Sequence, residues 1–301
     1  MNAQAQTQPG LAALAIASER SPSAVDEPGL RVRFRAADGV PTLIYLPGLH
    51  GDWTLNTGFR HAVGQQVRLV EVTYPRTVTW SLDEYAASIE AVLAERGITN
   101  GWLLAESFGS QVAWSLLGRG RFCCQGVIFA GGFGEYPVKS GVRLVAMLGR
   151  RMPLALLRQV CAIYPGLARW RFRQAPDSLA DIREFVARRT ELDRQAMIHR
   201  LRLIESNDPQ ATATRLAVPV FALSGLVDPV VPWPLSRNWF RRHCPSLRAF
   251  RVIGPADHNV LNTAPNEAAR TVVGWIQSCG DNLARGTIHG DTKQTKPKDK
   301  P

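Results

Sequence analysis

The sequence predicts an α/β protein with a mostly parallel β-sheet, helices on both faces of that sheet, and a helical insertion near the middle of the chain. Three observations predict this class. Short, nearly continuous apolar runs are bounded by Gly and Pro, which is typical of strands buried on both faces. Segments with helical periodicity separate these runs, and strands that alternate with helices form parallel sheets. Between residues 136 and 212 the alternation stops, and helix-like patches rich in Arg and Leu show no clear strand.

The first half of the chain contains five predicted strands. Polar and apolar residues alternate at 31–35, which predicts a strand with one exposed face. Further apolar runs at 42–46, 68–72, 101–105 and 126–130 predict four more strands. Between the third and fourth strands, Ser81 and Glu84 have the spacing of a capping box at a helix start, and Gly97 marks the end of that helix.

The second half resumes the alternation after the insertion. The chain shows a strand pattern at 218–225, a helix at 234–242, and a last strand at 247–253. A final helix places Ala269, Val272, Val273 and Ile276 on one face. These elements complete the predicted sheet and its covering layers.

The predicted organisation is one core interrupted by one insertion. The core comprises residues 29–135 and 213–278, and the helical insertion comprises residues 136–212. Residues 1–28 are rich in Ala, Gln, Ser and Pro without sustained periodicity, so we expect a disordered tail there. Residues 279–301 are polar and basic, and we expect a second disordered tail.

Composition and charge exclude several classes of protein. The net charge of +11 has no accompanying zinc-ligand spacing, aromatic RNA-binding motif or continuous basic helix, so we expect no nucleic-acid partner. The spacing of the five cysteines matches neither a disulfide framework nor a metal site, so we expect free thiols. An apolar run at 11–17 has no basic residue before it and is too short to span a bilayer. We therefore expect a cytoplasmic protein without an integral membrane segment.

Ser107 lies where an apolar run ends and a helical pattern begins almost at once. A turn this sharp leaves room only for small residues two positions to either side, and these are Ala105 and Gly109. The pattern matches the nucleophile elbow G-x-S-x-G with alanine in place of the first glycine. The alternative is a serine that only caps the helix.

A serine nucleophile needs a base, and the base needs an orienting carboxylate. His258 follows the last predicted strand and is our candidate base, while Asp228 follows the preceding strand and is our candidate acid. The alternative for Asp228 is an ordinary Asp-Pro turn, with Glu135 as the second candidate acid. Asp257 is too close to His258 in sequence to orient its ring easily. The competing histidines are His50, His61, His199, His243 and His289.

Acyl transfer also needs two backbone N–H groups directed at the developing oxyanion. The N–H of Phe108, directly after Ser107, is one candidate. The glycine-containing loop that begins at Pro47 supplies the other, and we choose the N–H of Leu49. The alternative for this loop is an ordinary glycine turn.

Together these segments resemble the α/β-hydrolase superfamily over residues 30–278, in particular its serine hydrolases with a cap insertion. The matching segments are residues 46–51, 105–109, 225–232 and 257–259. The resemblance implies the order Ser107, Asp228, His258 for nucleophile, acid and base. It also implies that the insertion is a cap over the active site. The chain departs from the family at Ala105, and again where Pro47 and Gly48 replace the common His-Gly pair.

The insertion indicates little about the substrate. Its apolar side chains are typical either of helix packing or of a lining for an acyl or aromatic group, and packing is the preferred interpretation. These apolar residues are Met147, Met152, Leu154, Leu156, Leu157, Tyr164, Trp170 and Phe172. Its arginines form either a solvated face, which we prefer, or an attractive surface for an anionic substrate. These arginines are Arg150, Arg151, Arg169, Arg171 and Arg173.

The predicted function is that of a serine hydrolase that cleaves a carboxylic ester or thioester of a small acyl substrate, with no cofactor and no metal. A serine nucleophile disfavours dehalogenase and epoxide hydrolase chemistry, which in this superfamily use aspartate. Two alternatives remain open. One is a lyase or carbon–carbon hydrolase with the same triad, and the other is a catalytically silent binding protein with the same fold.

Overall fold

The computed structural model describes residues 29–34, 39–156, 158–159 and 177–288. Its sheet has seven strands in the order β1-β3-β2-β4-β5-β6-β7. Strand β1 is antiparallel to β3, and all other neighbours are parallel. The strands are β1 (Arg31–Phe34), β2 (Thr42–Leu46), β3 (Arg68–Thr73), β4 (Asn100–Glu106), β5 (Cys123–Ala130), β6 (Val220–Gly225) and β7 (Leu247–Ile253).

Helices separate the strands and form the insertion, and a short 3₁₀ helix, Thr54–Asn56, precedes the first of them. The helices are α1 (Thr57–Val63), α2 (Leu82–Glu95), α3 (Gly109–Arg119), α4 (Lys139–Arg151), α5 (Asp177–Arg188), α6 (Glu191–Ser206), α7 (Gln210–Arg215), α8 (Trp233–His243), α9 (Val260–Thr263) and α10 (Pro265–Ile288). The predicted capping box is present at the start of α2, where the side chains of Ser81 and Glu84 each accept the other's backbone N–H.

The predicted fold class is confirmed by the sheet and by the burial of its strands. Along β2, Ile44 and Leu46 pack in one apolar core, whereas Leu43 and Tyr45 pack in another on the opposite face of the sheet. A strand covered on both faces cannot alternate apolar with polar residues, and this explains the continuous apolar run. The carboxyl ends of the parallel strands all meet at one edge of the sheet, where the candidate site residues lie.

Helices α4 to α7 lie between β5 and β6, and the described residues between these strands contain no strand. Helix α7 continues to Arg215, so the predicted boundary at residue 212 falls within it. We call residues 136–212 the cap. Within it, α4 packs against α6, and α5 packs against α1 and the 3₁₀ helix. The cap therefore contacts the loop that follows β2. Seven of its predicted apolar or basic residues lie outside the described residues: Leu157, Tyr164, Arg169, Trp170, Arg171, Phe172 and Arg173.

The last helix extends further than the sequence pattern predicted. Helix α10 continues to Ile288, so the predicted end of the core at residue 278 falls within it. Residues 279–288 include Leu283 and Ala284, which favour helix, and a helix already anchored by its buried face propagates at little cost. The predicted tails at 1–28 and 289–301 lie outside the described residues. No helix in the described ranges has the length and apolarity to span a bilayer.

Candidate active site

Ser107 occupies a sharp turn between β4 and α3. Its φ is +50°, in the left-handed region that residues other than glycine rarely adopt, so the backbone is strained at this residue. A Cβ atom at Gly109 would lie 2.3 Å from the carbonyl oxygen of Leu46, because the helix start lies directly against the end of β2. Ala105 is fully buried, and its single methyl fits at the position of the first glycine in the G-x-S-x-G pattern. The geometry is that of the predicted elbow.

His258 forms hydrogen bonds with both of the other triad candidates. Its Nε2 lies 2.8 Å from the Ser107 hydroxyl, and its Nδ1 lies 2.8 Å from Oδ2 of Asp228. A carboxylate only accepts hydrogen bonds, so Nδ1 carries the proton and donates to Asp228. Nε2 is then the acceptor for the serine hydroxyl. The structure thus places all three residues in one hydrogen-bonded chain.

The carboxylate of Asp228 is fixed by its own loop. Its side chain has no solvent-exposed surface, and Oδ1 accepts the backbone N–H groups of Val230 and Val231, each at 2.8 Å. The Asp-Pro segment therefore does form a turn, which was the alternative interpretation of the sequence. Because the turn uses only Oδ1, the same carboxylate both forms the Asp-Pro turn and accepts a hydrogen bond from His258 through Oδ2.

The environment of His258 strengthens it as a base. Burial of the ring opposes its charged form, but the hydrogen bond and charge of Asp228, together with the charges of Glu106 and Asp257, outweigh burial and raise the pKa of His258. The loop that carries His258 lies directly on the strand ends. A Cβ at Gly131 would lie 2.6 Å from the carbonyl oxygen of His258, and Gly131 has a φ of +55°.

The two predicted oxyanion donors belong to segments that lie next to the nucleophile. Phe108 is the N-cap residue of α3, so its N–H belongs to a helix start whose first N–H groups have no intrahelical partner. On the other side, a Cβ at Gly48 would lie 3.4 Å from the Cβ of Ser107, which puts the loop carrying Leu49 against the serine. The N–H of Gly51 donates to the carbonyl of Gly48 and closes a tight turn.

The other candidate carboxylates have different partners. Glu135 forms an ion pair with Lys139, with 2.7 Å between Oε1 and Nζ. Asp257 accepts the backbone N–H of Asn259 at 2.9 Å, which stabilises the loop before α9. Neither carboxylate is the hydrogen-bond partner of His258 Nδ1.

Among the competing histidines within the described ranges, only His50 lies beside the site. Its ring approaches Gly48, but its Nε2 is buried without a hydrogen-bond partner, and burial lowers its pKa. His199 bonds through Nε2 to the carbonyl of Trp80, and His243 packs against the ring of Trp239. His61 forms none of the triad hydrogen bonds, and His289 lies outside the described residues.

Sequence reasoning missed a buried carboxylate next to the nucleophile. Glu106 is 1% exposed, and its Oε2 accepts the hydroxyl of Tyr45 at 2.5 Å. Burial and the charge of Glu106 both raise the pKa of Tyr45. The available signal was an acidic residue at the end of an otherwise apolar strand, where a charge is costly unless it has a partner.

Sequence reasoning also missed two buried arginines of the cap. Arg189 pairs with Asp52 at 2.5 Å, and Arg200 donates to the carbonyl of Leu49 at 2.8 Å. The preferred interpretation of the cap arginines as a solvated face does hold for Arg150 and Arg151, which are exposed. Nothing local in the sequence separates the two buried arginines from the exposed ones, because their partners lie 137 and 151 residues away in the chain.

The described residues show no metal site and no disulfide. No group of three or more His, Cys, Asp or Glu side chains in these ranges could hold a metal ion. The four cysteines within the described ranges, Cys123, Cys124, Cys244 and Cys279, are free thiols, and burial raises the pKa of Cys124 to about 12.

The sheet topology, the strained serine turn and the inserted cap together define the α/β-hydrolase fold. The solved structures that this chain resembles include an esterase from Thermogutta terrifontis, 19% identical, with a TM-score of 0.66 over 83% of this chain and 93% of that one. They also include an enol-lactonase from Burkholderia xenovorans LB400, 17% identical, with a TM-score of 0.66 over 82% and 96%. MGS-M2, an α/β-hydrolase enzyme from a Medee basin deep-sea metagenome library, is 13% identical, with a TM-score of 0.65 over 90% and 97%.

No protein-family model matches the chain, and no curated protein matches its sequence. At these levels of identity the structural likeness shows the fold alone. It confirms the α/β-hydrolase fold that the sequence motifs indicated.

Proposed function

We propose that this protein is a serine hydrolase that cleaves a carboxylic ester or thioester through an acyl-enzyme. One observation carries the proposal: the Ser107 hydroxyl, the His258 ring and the Asp228 carboxylate form one hydrogen-bonded chain with 2.8 Å at each contact. A hydroxyl within hydrogen-bond reach of an oriented base is the arrangement that nucleophilic catalysis needs.

In the proposed mechanism, the oxygen of Ser107 attacks the substrate carbonyl while Nε2 of His258 takes its proton. The imidazolium that forms is stabilised by Asp228, which keeps its own negative charge. The N–H groups of Leu49 and Phe108 stabilise the oxyanion. His258 then protonates the leaving alcohol or thiol, and the acyl group remains on Ser107. A water molecule, deprotonated by His258, attacks the acyl carbonyl. His258 returns that proton to the Ser107 oxygen as the bond to the acyl group breaks, which releases the acid and restores the free serine.

An ester or thioester substrate is the best match to this site. The structural neighbours include an esterase and an enol-lactonase, both of which are named for cleavage of an ester bond. The oriented base and the two proposed N–H donors suit a carbonyl that becomes tetrahedral and anionic. The same triad would serve a lyase or a carbon–carbon hydrolase, so this second candidate has to be separated by experiment.

The test combines a fluorophosphonate probe with a panel of acyl esters and thioesters of short and long chain. Wild type, Ser107→Ala and the control Ser140→Ala, which changes a serine on α4 outside the site, are compared. We expect probe labelling and ester turnover in wild type and in the control, and neither in Ser107→Ala. Labelling without turnover of any ester or thioester would favour the lyase or carbon–carbon hydrolase. Folded wild-type protein that takes no label would overturn the enzymatic proposal.

A further inference from the structure

Arg200, on cap helix α6, lies beneath the loop that carries one of the proposed oxyanion donors. Its side chain is almost fully buried, with 2% of the residue exposed. Nη1 donates to the carbonyl of Leu49 at 2.8 Å, and Nη2 donates to the carbonyl of Pro75 at 3.0 Å. Leu49 follows β2 and Pro75 follows β3, so one guanidinium connects the ends of two neighbouring strands to the cap.

The partners of Arg200 are neutral. Its Nε lies 3.4 Å from the hydroxyl of Tyr85, and its Cζ lies 5.4 Å from the centre of the Tyr74 ring. Within the described ranges, none of its hydrogen bonds or ion pairs is with a carboxylate. A buried cation without a counter-ion is costly, and is retained only where carbonyl dipoles and a ring face replace water. Because burial of the Arg200 guanidinium is costly, we expect this side chain to have a role that a charge on the surface would not provide.

The loop is shaped around the guanidinium. A Cβ at Gly51 would lie 2.4 Å from Nη1 of Arg200, and Gly51 has a φ of +82°, so only glycine fits beside the arginine. The N–H of Gly51 closes the turn onto Gly48, and its carbonyl accepts the N–H of Tyr74. We define residues 48–51 as the oxyanion loop.

A second cap arginine fixes the far end of this loop. Arg189 pairs with Asp52, and its Nη1 donates to the carbonyl of His50 at 3.4 Å. Asp52 in turn accepts the N–H of Thr54 at 2.9 Å. The carbonyls of Leu49 and His50 are thus both bonded to cap arginines, on successive peptide units. Arg200 acts on the peptide unit that directly follows the Leu49 α-carbon.

We propose that Arg200 is a positioning residue for the oxyanion hole: by bonding the carbonyl of Leu49 from within the cap, it sets the direction of the Leu49 N–H. This inference rests on the proposed function. A rotation of the Leu49 carbonyl away from Arg200 changes the backbone dihedrals of the turn that also orients its N–H. Misplacing one oxyanion donor affects the transition state more than the bound substrate, so the loss appears in kcat.

The test compares Arg200→Lys and Arg200→Met with the control Arg202→Ala, which removes an exposed arginine from the same helix. Arg200→Lys keeps the charge but offers no planar fork for two carbonyls. We expect kcat to fall by roughly 10²-fold in both Arg200 variants, with KM changed less than about threefold. Binding of a boronic-acid transition-state analogue should weaken by the same factor as kcat/KM. The control should match wild type in all three measurements.

Two results would overturn the proposal: kcat within about twofold of wild type in folded Arg200→Lys, or a raised KM with unchanged kcat. Thermal unfolding establishes which variants are folded. If Arg200→Met unfolds, the comparison rests on Arg200→Lys, which keeps the charge and most of the side-chain volume but not the planar fork. A wild-type enzyme without ester or thioester turnover is a failure of the proposed function; normal turnover in every Arg200 variant is a failure of the positioning role alone.

Discussion

The hydroxyl of Tyr45 donates a 2.5 Å hydrogen bond to the carboxylate of Glu106, the residue directly before Ser107. Both side chains are buried, with 1% exposure each. Tyr45 lies on β2 and Glu106 on β4, two strands that pair directly. The negative charge of Glu106 is also one of the causes that raise the pKa of His258. This pair therefore combines a structural contact with an electrostatic effect on the proposed base.

We predict that Glu106→Gln shifts the acidic limb of the pH–rate profile to lower pH. The amide oxygen still accepts the Tyr45 hydroxyl, but the negative charge that favours protonated His258 is lost. Activity requires neutral His258, so a lower pKa extends activity towards acid. The measurement is kcat/KM against pH. An acidic limb that stays in place or moves to higher pH would contradict the prediction.

The matched variant Glu106→Leu separates the charge from the hydrogen bond. It removes the carboxylate that accepts the buried Tyr45 hydroxyl, which costs about 1–3 kcal/mol in the free energy of unfolding. In urea denaturation, the free energy of unfolding should fall much less in Glu106→Gln than in Glu106→Leu. Equal stability of the two variants would show that the hydroxyl finds another partner.

A second prediction concerns Asp228→Asn. The amide group presents an N–H where Nδ1 of His258 needs an acceptor, so the ring adopts the wrong tautomer for accepting the serine proton. We expect kcat to fall by roughly 10³–10⁴-fold. The acidic limb of the remaining activity should move to lower pH, because the hydrogen bond and charge of Asp228 raise the pKa of His258.

The control for this prediction is Asp257→Asn, next to His258 in sequence. Its Oδ1 accepts the N–H of Asn259 rather than the ring, so we expect less than about a tenfold loss in kcat. A similar loss of kcat in the two variants would indicate that kcat depends on negative charge near His258 in general and not on the specific hydrogen-bond acceptor at Nδ1.

The sequence alone was enough to predict the fold class and to predict that the three triad candidates lie at one edge of the sheet. Small residues on both sides of Ser107 marked the sharp turn, and Asp228 and His258 each follow a strand that the apolar pattern identified. Parallel strands present their carboxyl ends at one edge, so residues distant in sequence converge there. This reasoning uses only local patterns and one rule of sheet architecture.

The sequence was not sufficient for Arg189 and Arg200. Arg200 bonds to backbone carbonyls, which leave no complementary residue type in the sequence. The carboxylate partner of Arg189 lies 137 residues away, so no local pattern predicts that either arginine is buried. The same holds for the end of α10, since helix propagation beyond residue 278 depends on the packing of its first half. The buried arginines of the cap differ from exposed ones such as Arg202 in their position in the folded structure and not in their local sequence.

A third prediction compares two small residues of the elbow. In Gly109→Ala the new methyl would lie 2.3 Å from the carbonyl oxygen of Leu46, and a backbone atom cannot move aside cheaply. We expect about 3 kcal/mol loss in the free energy of unfolding and slower fluorophosphonate labelling. In Ala105→Gly the loss in the free energy of unfolding should be about 1 kcal/mol, with fluorophosphonate labelling retained. Urea denaturation and labelling rates provide the test, and equal losses in the two variants would mean that the turn tolerates displacement.

The last prediction concerns the contribution of Asp52 to stability at different pH values. Burial opposes the charged form of Asp52, but the charge and hydrogen bond of Arg189, with His50 and the N–H of Thr54, outweigh it and hold the pKa of Asp52 well below its usual range. A carboxyl whose pKa is lower in the folded state adds stability above its unfolded pKa of about 3.9, and that stability is lost as the pH falls.

We therefore expect Asp52→Asn to lose about 2 kcal/mol in the free energy of unfolding at about pH 7, with the difference from wild type shrinking below about pH 4. The control Asp83→Asn removes an exposed carboxylate that pairs with Arg119, and should change stability less at every pH. Urea denaturation at a series of pH values from about 3 to about 7 provides the measurement. Parallel stability curves for wild type and Asp52→Asn would mean that the ion pair with Arg189 does not stabilise the attachment of the cap.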